Sequence, residues 1–255
     1  MGLFKKHNTN SASDALLKEV SGLDNLRNVL KKSNNPYLKI PQIISSSETL
    51  LEMTAIDQQQ ASQTQMQHLG KGLALLHQVQ QPTYGLNEDN YIGLNPQPNC
   101  LMDNWGEFFI KYRLLYQVNL IRDVTVKENF LTLLAGYQEP LLQFLNRHCE
   151  HPSLVHGDLW SGNVLFDDTT VWLIDPAIYF GDREVDLAMT EMFGGFSPAF
   201  YQAYDHTFPR SKRYAQKKVI YNLYHYLNHY NLFGNNYLVA CQQGFDALEN
   251  CYSFS

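Results

Sequence analysis

Four residues between Ser153 and Ala177 carry side chains that could do chemistry together: His156, Asp158, Asn163 and Asp175. Asp158 closes the triplet His156-Gly157-Asp158 after a short apolar run, Asn163 follows five positions later, and an alternating apolar segment then delivers Asp175. Moving the γ-phosphoryl group of ATP asks for positioning and charge neutralisation more than for covalent help. A carboxylate must meet the acceptor hydroxyl, and oxygen ligands must hold Mg²⁺, a hard cation, on the phosphates. Asp158 suits the first role; Asn163 and Asp175 suit the second. Taken singly, each of these residues reads as a turn or cap residue making local hydrogen bonds. The spaced set points to phosphotransfer.

Such a set needs elements that bring it to one place. Val164 to Asp167 and Val171 to Ile174 predict two strands of a hairpin turning at residues 167–170. That hairpin would carry Asp175 back beside Asn163. Upstream, Leu16, Leu23, Leu26 and Val29 share one face of a helix starting near Ala15. Pro36 to Ile44 and Ser47 to Ala55 predict short strands, and the polar stretch from Ile56 to Thr64 a boundary and helix entry. Gln65 to Gln80 predicts a helix with Leu69, Leu73, Leu76 and a core His77. Tyr84 to Gln97 is turn-rich and predicts a long surface loop, with Asp89, Asn90 and Gln97 as candidate polar contacts. Helices are expected over Trp105 to Asp123, over Asn129 to His148 with an interruption at Pro140, and from Glu184 into Gly194-Gly195. The rest, to Ser255, alternates helices and turns; its run YHYLNHYNLF could stack on a ligand, although packing of the core is the simpler role for such dense aromatics.

HGDLWSGN (156–163), IDPA (174–177) and YFGDREVDLA (179–188) together resemble the fructosamine kinase (ketosamine-3-kinase) family, relatives of aminoglycoside phosphotransferases and choline kinases. HGDxxxxN with a downstream Asp is common to the whole superfamily; the Trp160-Ser161-Gly162 filling and GDREVDLA narrow it. The similarity extends through YGLNEDNYIGLNPQPN (84–99), Trp105 to Gln117, EMFGGF (191–196) and YNLYHYLNHYNLFG (221–234).

The resemblance implies an α+β, protein-kinase-like, two-lobed fold. Residues 1–55 would form a partial N-terminal β lobe and residues 56–255 a mainly helical lobe with the catalytic loop. Leu3 to Asn8 is similar to the family's lysine strand, which makes Lys6 the phosphate-contacting lysine and Glu19 its ion-pair partner. Glu52 to Thr54 resembles the hinge whose backbone groups bind adenine. Trp160 would stack on the acceptor or anchor its loop, and Asp186 would fix the catalytic loop. The two strands and glycine-rich turn that cover ATP in such kinases are not found ahead of Lys6: either the sequence is truncated there or the lid is missing, and a kinase without the lid would hold ATP weakly and leave the transferring phosphoryl group open to water. Asp175 is followed by Pro-Ala and no Ala-Pro-Glu comes later, against protein-kinase activity under activation-loop control. By resemblance the acceptor is the 3-hydroxyl of a ketosamine, such as a glycated lysine, and the role protein deglycation. Another small-molecule kinase of this fold, acting on an aminoglycoside, choline or a sugar, and a catalytically inactive protein of this fold stay open as alternatives.

Composition sets outer bounds. With 255 residues, 44% hydrophobic and 13% aromatic, the chain can bury a full core. A net charge of −6 with no basic block argues against a nucleic-acid partner. Cys100, Cys149, Cys241 and Cys251 show no CxxC spacing, so reduced thiols in a cytoplasmic protein are expected, without zinc or disulfides. No apolar run predicts a membrane span, the first residues lack a signal-peptide core, and Gly2 lacks the Ser or Thr of a myristoylation site. A monomer is expected, though no residue pattern fixes the oligomeric state.

Overall fold

The structure, a computed structural model, describes residues 2–10 and 12–251, with side chains as far as Leu248. Residues 252–255 and the thiol of Cys251 thus lie outside the described residues.

The N-terminal part holds β1 (Leu3–His7), α1 (Ala15–Lys32), β2 (Leu38–Lys39), β3 (Ile43–Ser46) and β4 (Leu50–Thr54). In α1 the expected face is buried, with Leu16, Leu23, Leu26, Val29 and Leu30 turned inward. Lys31 and Lys32 complement the negative end of the helix in its last turn. β4 is the central strand of an antiparallel sheet ordered β1-β4-β3, and its alternate residues Leu51 and Met53 enter the core. The strand expected over 36–44 divides into β2 and β3. Pro41 falls between them, and a proline cannot donate to a sheet ladder. β2 instead pairs in parallel with a later segment at Val171 and Trp172.

α2 (Gln63–His77) opens on a capping box: Ser62 accepts the N–H of Gln65, and the Gln65 side chain accepts from the N–H of Ser62. The expected surface loop over 84–97 contains a hairpin, β5 (Asn90–Ile92) with β6 (Asn95–Gln97). The helix expected over 105–123 is built as α3 (Trp105–Phe109), a π-helical segment (Ile110–Leu115) and α4 (Tyr116–Leu120). Helix α5 (Val124–His148) runs without a break through Pro140, contrary to expectation. Pro140 sits on the exposed face, while Phe130, Leu134, Leu141 and Leu145 bury the opposite one and hold the helix together through the missing hydrogen bond.

After α5 come β7 (Ser153–Val155), the hairpin β8 (Val164–Phe166) and β9 (Val171–Leu173), β10 (Tyr179–Gly181) and α6 (Glu184–Thr190). The hairpin has the expected register, with Val164 opposite Leu173 and Phe166 opposite Val171. The chain continues through α7 (Pro198–Thr207), α8 (Tyr214–Phe233) and α9 (Leu238–Cys251). Tyr224 and Tyr230 of the aromatic run are buried in the core, as is Tyr221 just before it; Tyr221 and Tyr224 both pack on Phe109, while Phe233 is exposed. Among the described residues, no helix is long and apolar enough to cross a membrane, and Cys100, Cys149 and Cys241 are free thiols.

Candidate active site

The loop after β7 is shaped by one buried carboxylate. Asp186 accepts the backbone N–H groups of His156 and Gly157 at 2.7 and 2.9 Å, and a ring nitrogen of His77 lies 3.1 Å away. Burial alone would raise its pKa, but His77, His156 and the Gly157 N–H hold the carboxyl below its ordinary value. Gly157 takes φ +82°, and a β-carbon there would run into the carbonyl oxygen of Ala177. Only glycine allows both the left-handed backbone and that approach. His156 Nε2 donates to the carbonyl of Ile174 at 2.9 Å, which ties the loop to the segment leading into Asp175.

Asn163 joins the two acids. Its Nδ2 donates to the backbone oxygen of Asp158 at 2.8 Å and to the carboxylate at 3.2 Å, with the carbonyl of Asp175 at 3.5 Å. The hairpin contributes one more link, Ile174 N–H to Asn163 C=O at 3.1 Å. Asp175 itself adopts φ +53°, a left-handed conformation uncommon outside glycine and typical of strain held at functional sites. Across from it, Lys6 on β1 reaches Glu19 Oε2 at 2.8 Å and Asp175 Oδ1 at 2.9 Å.

The electrostatics follow from burial. Desolvation pushes the Asp158 carboxyl up to about 7; the Asn163 bond pulls it down, and the neighbouring Asp175 and Asp186 push it further up. Burial likewise raises Glu19 to about 7 against the pull of Lys6, and its Oε1 has no hydrogen-bond partner. Burial would lower Lys6, yet its two carboxylate neighbours outweigh that and hold the ammonium above its usual value.

Lys6, Glu19, Asp158, Trp160, Asn163 and Asp175 therefore line one hollow of about 330 Å³. Glu52 and Thr54 are not brought there. Their backbones lie in the central strand, paired to β1 and β3, and the N–H of Thr54 is spent on Gln42. Glu52 pairs with Lys5 and Ser45 on the outside of the sheet. The expected adenine contact at these residues thus lies outside the hollow that holds Lys6, Asp158 and Asp175, with the Thr54 N–H engaged in the sheet.

Of the candidate polar contacts in the turn-rich stretch, Asn90 lines the hollow and Gln97 does not. Both are buried and donate to the carbonyls of Ile178 and Ala177, so they brace the segment after Asp175. Asp89 accepts from the N–H of Asn99. Behind this brace sits Arg113, wholly buried, donating to Pro98 C=O and Asn99 Oδ1 and stacked 4.0 Å from the Tyr179 ring centre. No sequence pattern marked Arg113, because the π-helical turn that swings it inward has no signal of its own. GDREVDLA had a signal but concealed its reason: Asp182 and Glu184 share the buried ammonium of Lys217 at 2.6 Å each.

The hollow fits a magnesium-bound nucleotide by its donor set. Asn163 spends its amide nitrogen on Asp158, which leaves its oxygen as the group to offer beside the Asp175 carboxylate. Mg²⁺ favours one or two such oxygen ligands, the rest coming from phosphates and water. Among the described residues, no group of three or more His, Cys, Asp or Glu side chains could hold a metal ion.

In fold, this is a protein-kinase-like protein. The chain superposes on an aminoglycoside phosphotransferase solved with gentamicin, APH(2")-IIa, with a TM-score of 0.60 at 17% identity over 99% of this chain and 87% of that one. A Haemophilus somnus protein assigned as a fructosamine-3-kinase superposes more closely, with a TM-score of 0.82 at 27% identity, covering 96% of this chain and 83% of the other. The family model for fructosamine kinase matches residues 2–250. The chain belongs to the fructosamine kinase family. A probable ketoamine kinase of Synechocystis is 46% identical over 185 residues, 69% of this chain, and one of Vibrio cholerae 38% identical over 234 residues, 89% of this chain. The matched regions take up 59% of the Synechocystis protein and 79% of the Vibrio cholerae one.

Proposed function

We propose that this chain transfers the γ-phosphoryl group of ATP to a hydroxyl of a ketosamine, the 3-hydroxyl of a fructosamine-type sugar on an amine such as a lysine side chain. The observation that carries the reading is the meeting of Lys6, Glu19 and Asp175 with Asp158 and Asn163 across one hollow. Family membership supports the ketosamine as acceptor. Asp158 orients the hydroxyl and takes its proton as the new oxygen–phosphorus bond forms and the bond to ADP breaks. A loose transition state asks for little basicity until late, and a carboxyl raised towards neutrality supplies it. Lys6, aimed by Glu19, steadies the phosphates, and Asn163 with Asp175 would hold Mg²⁺, which neutralises the charge on the transferring group. On this reading residues 1–55 form the nucleotide-side lobe and 56–255 the catalytic lobe, in a protein of a reducing compartment acting in deglycation.

The test is mass spectrometry of a fructosyl-lysine peptide incubated with MgATP and the protein. A mass gain of one phosphoryl group, absent with Asp158→Ala, is the expected result. An equal gain with that variant, or none on any ketosamine, overturns the reading.

A further inference from the structure

Trp160 lines the hollow two residues beyond Asp158, and 40% of its surface is exposed. The indole is the first of a row of rings. Phe193 meets it edge-on at 6.5 Å, Phe193 meets His229 at 5.3 Å, and His229 meets Phe233 at 5.6 Å and Tyr237 at 5.0 Å. Phe193 and Phe233 are 45% and 60% exposed. A contiguous apolar strip left in water, starting at the rim of a reaction site, marks a binding surface.

The strip is built into the catalytic loop. Gly195 takes φ +93° and packs so closely that a β-carbon would fall 2.5 Å from that of Ser161, which docks the turn bearing Phe193 onto the residue after Trp160. Gly162 lies beneath the indole, where a β-carbon would collide with the ring. The runs WSG and EMFGGF thus act together to set two aromatic rings side by side at the mouth of the hollow. His229 donates from Nδ1 to the His225 carbonyl, and burial holds its pKa below the ordinary value, so the strip is uncharged there near neutral pH. On the β5–β6 turn, exposed Leu94 adds a further apolar group to the hollow.

We propose that this strip binds the amine-borne part of the acceptor, so that the protein favours ketosamines whose amine carries an aromatic or bulky apolar group. The proposal rests on the phosphotransfer reading and adds what lies beyond the sugar. A sugar hydroxyl placed at Asp158 must send its amine substituent out of the hollow, and Trp160 walls that exit. Flat, uncharged rings bind by apolar burial and stacking, which suits an aromatic or apolar substituent.

The experiment compares N-fructosyl-phenylalanine with N-fructosyl-glycine as acceptors. Burial of a phenyl group on the strip should raise kcat/KM by about tenfold. Phe193→Ala and Phe233→Ala, at exposed positions, should each shrink that ratio to a few-fold or less. Calorimetric titration of both compounds without nucleotide should give the same ordering of affinities and the same loss in the variants. Equal wild-type values for the two compounds, or a ratio untouched by Phe193→Ala, overturns the strip. Should neither compound be phosphorylated, the fructosyl-lysine test above judges the phosphotransfer reading, and the calorimetric ratio still decides the strip; absence of any binding there overturns the strip.

Discussion

Asn163 grips Asp158 twice, from one amide nitrogen to the backbone oxygen at 2.8 Å and to the carboxylate at 3.2 Å. The side chain offered as proton acceptor is thereby held in place by a neighbour offered as metal ligand. Loss of Asn163 should therefore disturb both the geometry and the acidity of Asp158.

The first prediction concerns pH. With the free carboxyl pushed up to about 7 by burial, kcat/KM should fall on the acid side of neutrality as Asp158 takes a proton. Removing the Asn163 bond, which lowers that pKa, should move the acid limb of Asn163→Ala to higher pH. Asp158→Asn should lose about 10³-fold in kcat/KM and show no such limb. A wild-type limb no higher than the ordinary carboxylate value of 3.8 would refute the assignment.

The same shift carries a stability cost with a definite sign. In the fold the Asp158 carboxyl keeps its proton up to about pH 7, while in the unfolded chain it loses it near the ordinary value of 3.8. Between those values the native state binds more protons, so this group's contribution falls as pH rises and is least favourable above about 7. Asp158→Asn should thus raise the melting temperature by several degrees in mildly alkaline buffer, and by less in mildly acidic buffer. Thermal unfolding of both proteins in the two buffers decides it; a gain that is larger on the acid side would contradict the burial argument.

Lys6 and Glu19 should behave as one unit. Glu19→Gln leaves the ammonium paired with Asp175 alone, which draws it from the phosphates, so about a tenfold loss in kcat/KM for ATP is expected. Lys6→Met should cost more, and the double variant little beyond Lys6→Met, since partners in one ion pair are not additive. Losses that simply multiply would show that Glu19 acts elsewhere.

Much of this arrangement was legible because it is local. The β8–β9 hairpin has the alternation and turn that sequence patterns report, and it brings Asp175 back to Asn163. The pairing of Lys6 with Glu19 came from the family resemblance, since two charges near the start of the chain carry no pattern of their own. What could not be read depends on distant partners. Asn90 and Gln97 look like loop residues until Ala177 and Ile178 arrive above them, and Glu52 looks like a hinge until β1 and β3 close on both its edges. Arg113 points inward only because of an extra residue in the helical turn, which leaves no periodic trace. Pro140 shows the converse: a local breaker overruled by the burial of Leu141 and Leu145.

Asp186 offers the sharpest test of how the loop is held. Asp186→Ala strands two buried N–H groups, those of His156 and Gly157, and frees a ring nitrogen of His77. Each orphaned donor costs about 1–3 kcal/mol, so a large fraction of the total stability is at stake. Asp186→Asn keeps one carbonyl oxygen and should fall between wild type and Ala in melting temperature. Because the carboxylate touches neither hollow nor substrate, the Asn variant should lose kcat with KM for ATP little changed, through a loosened Asp158. Hydrogen exchange should show this directly, with faster exchange at the amides of His156 and Gly157 than at those of β7. Unchanged exchange there, in a variant of reduced kcat, would mean that Asp186 acts by its charge and not by anchoring the loop.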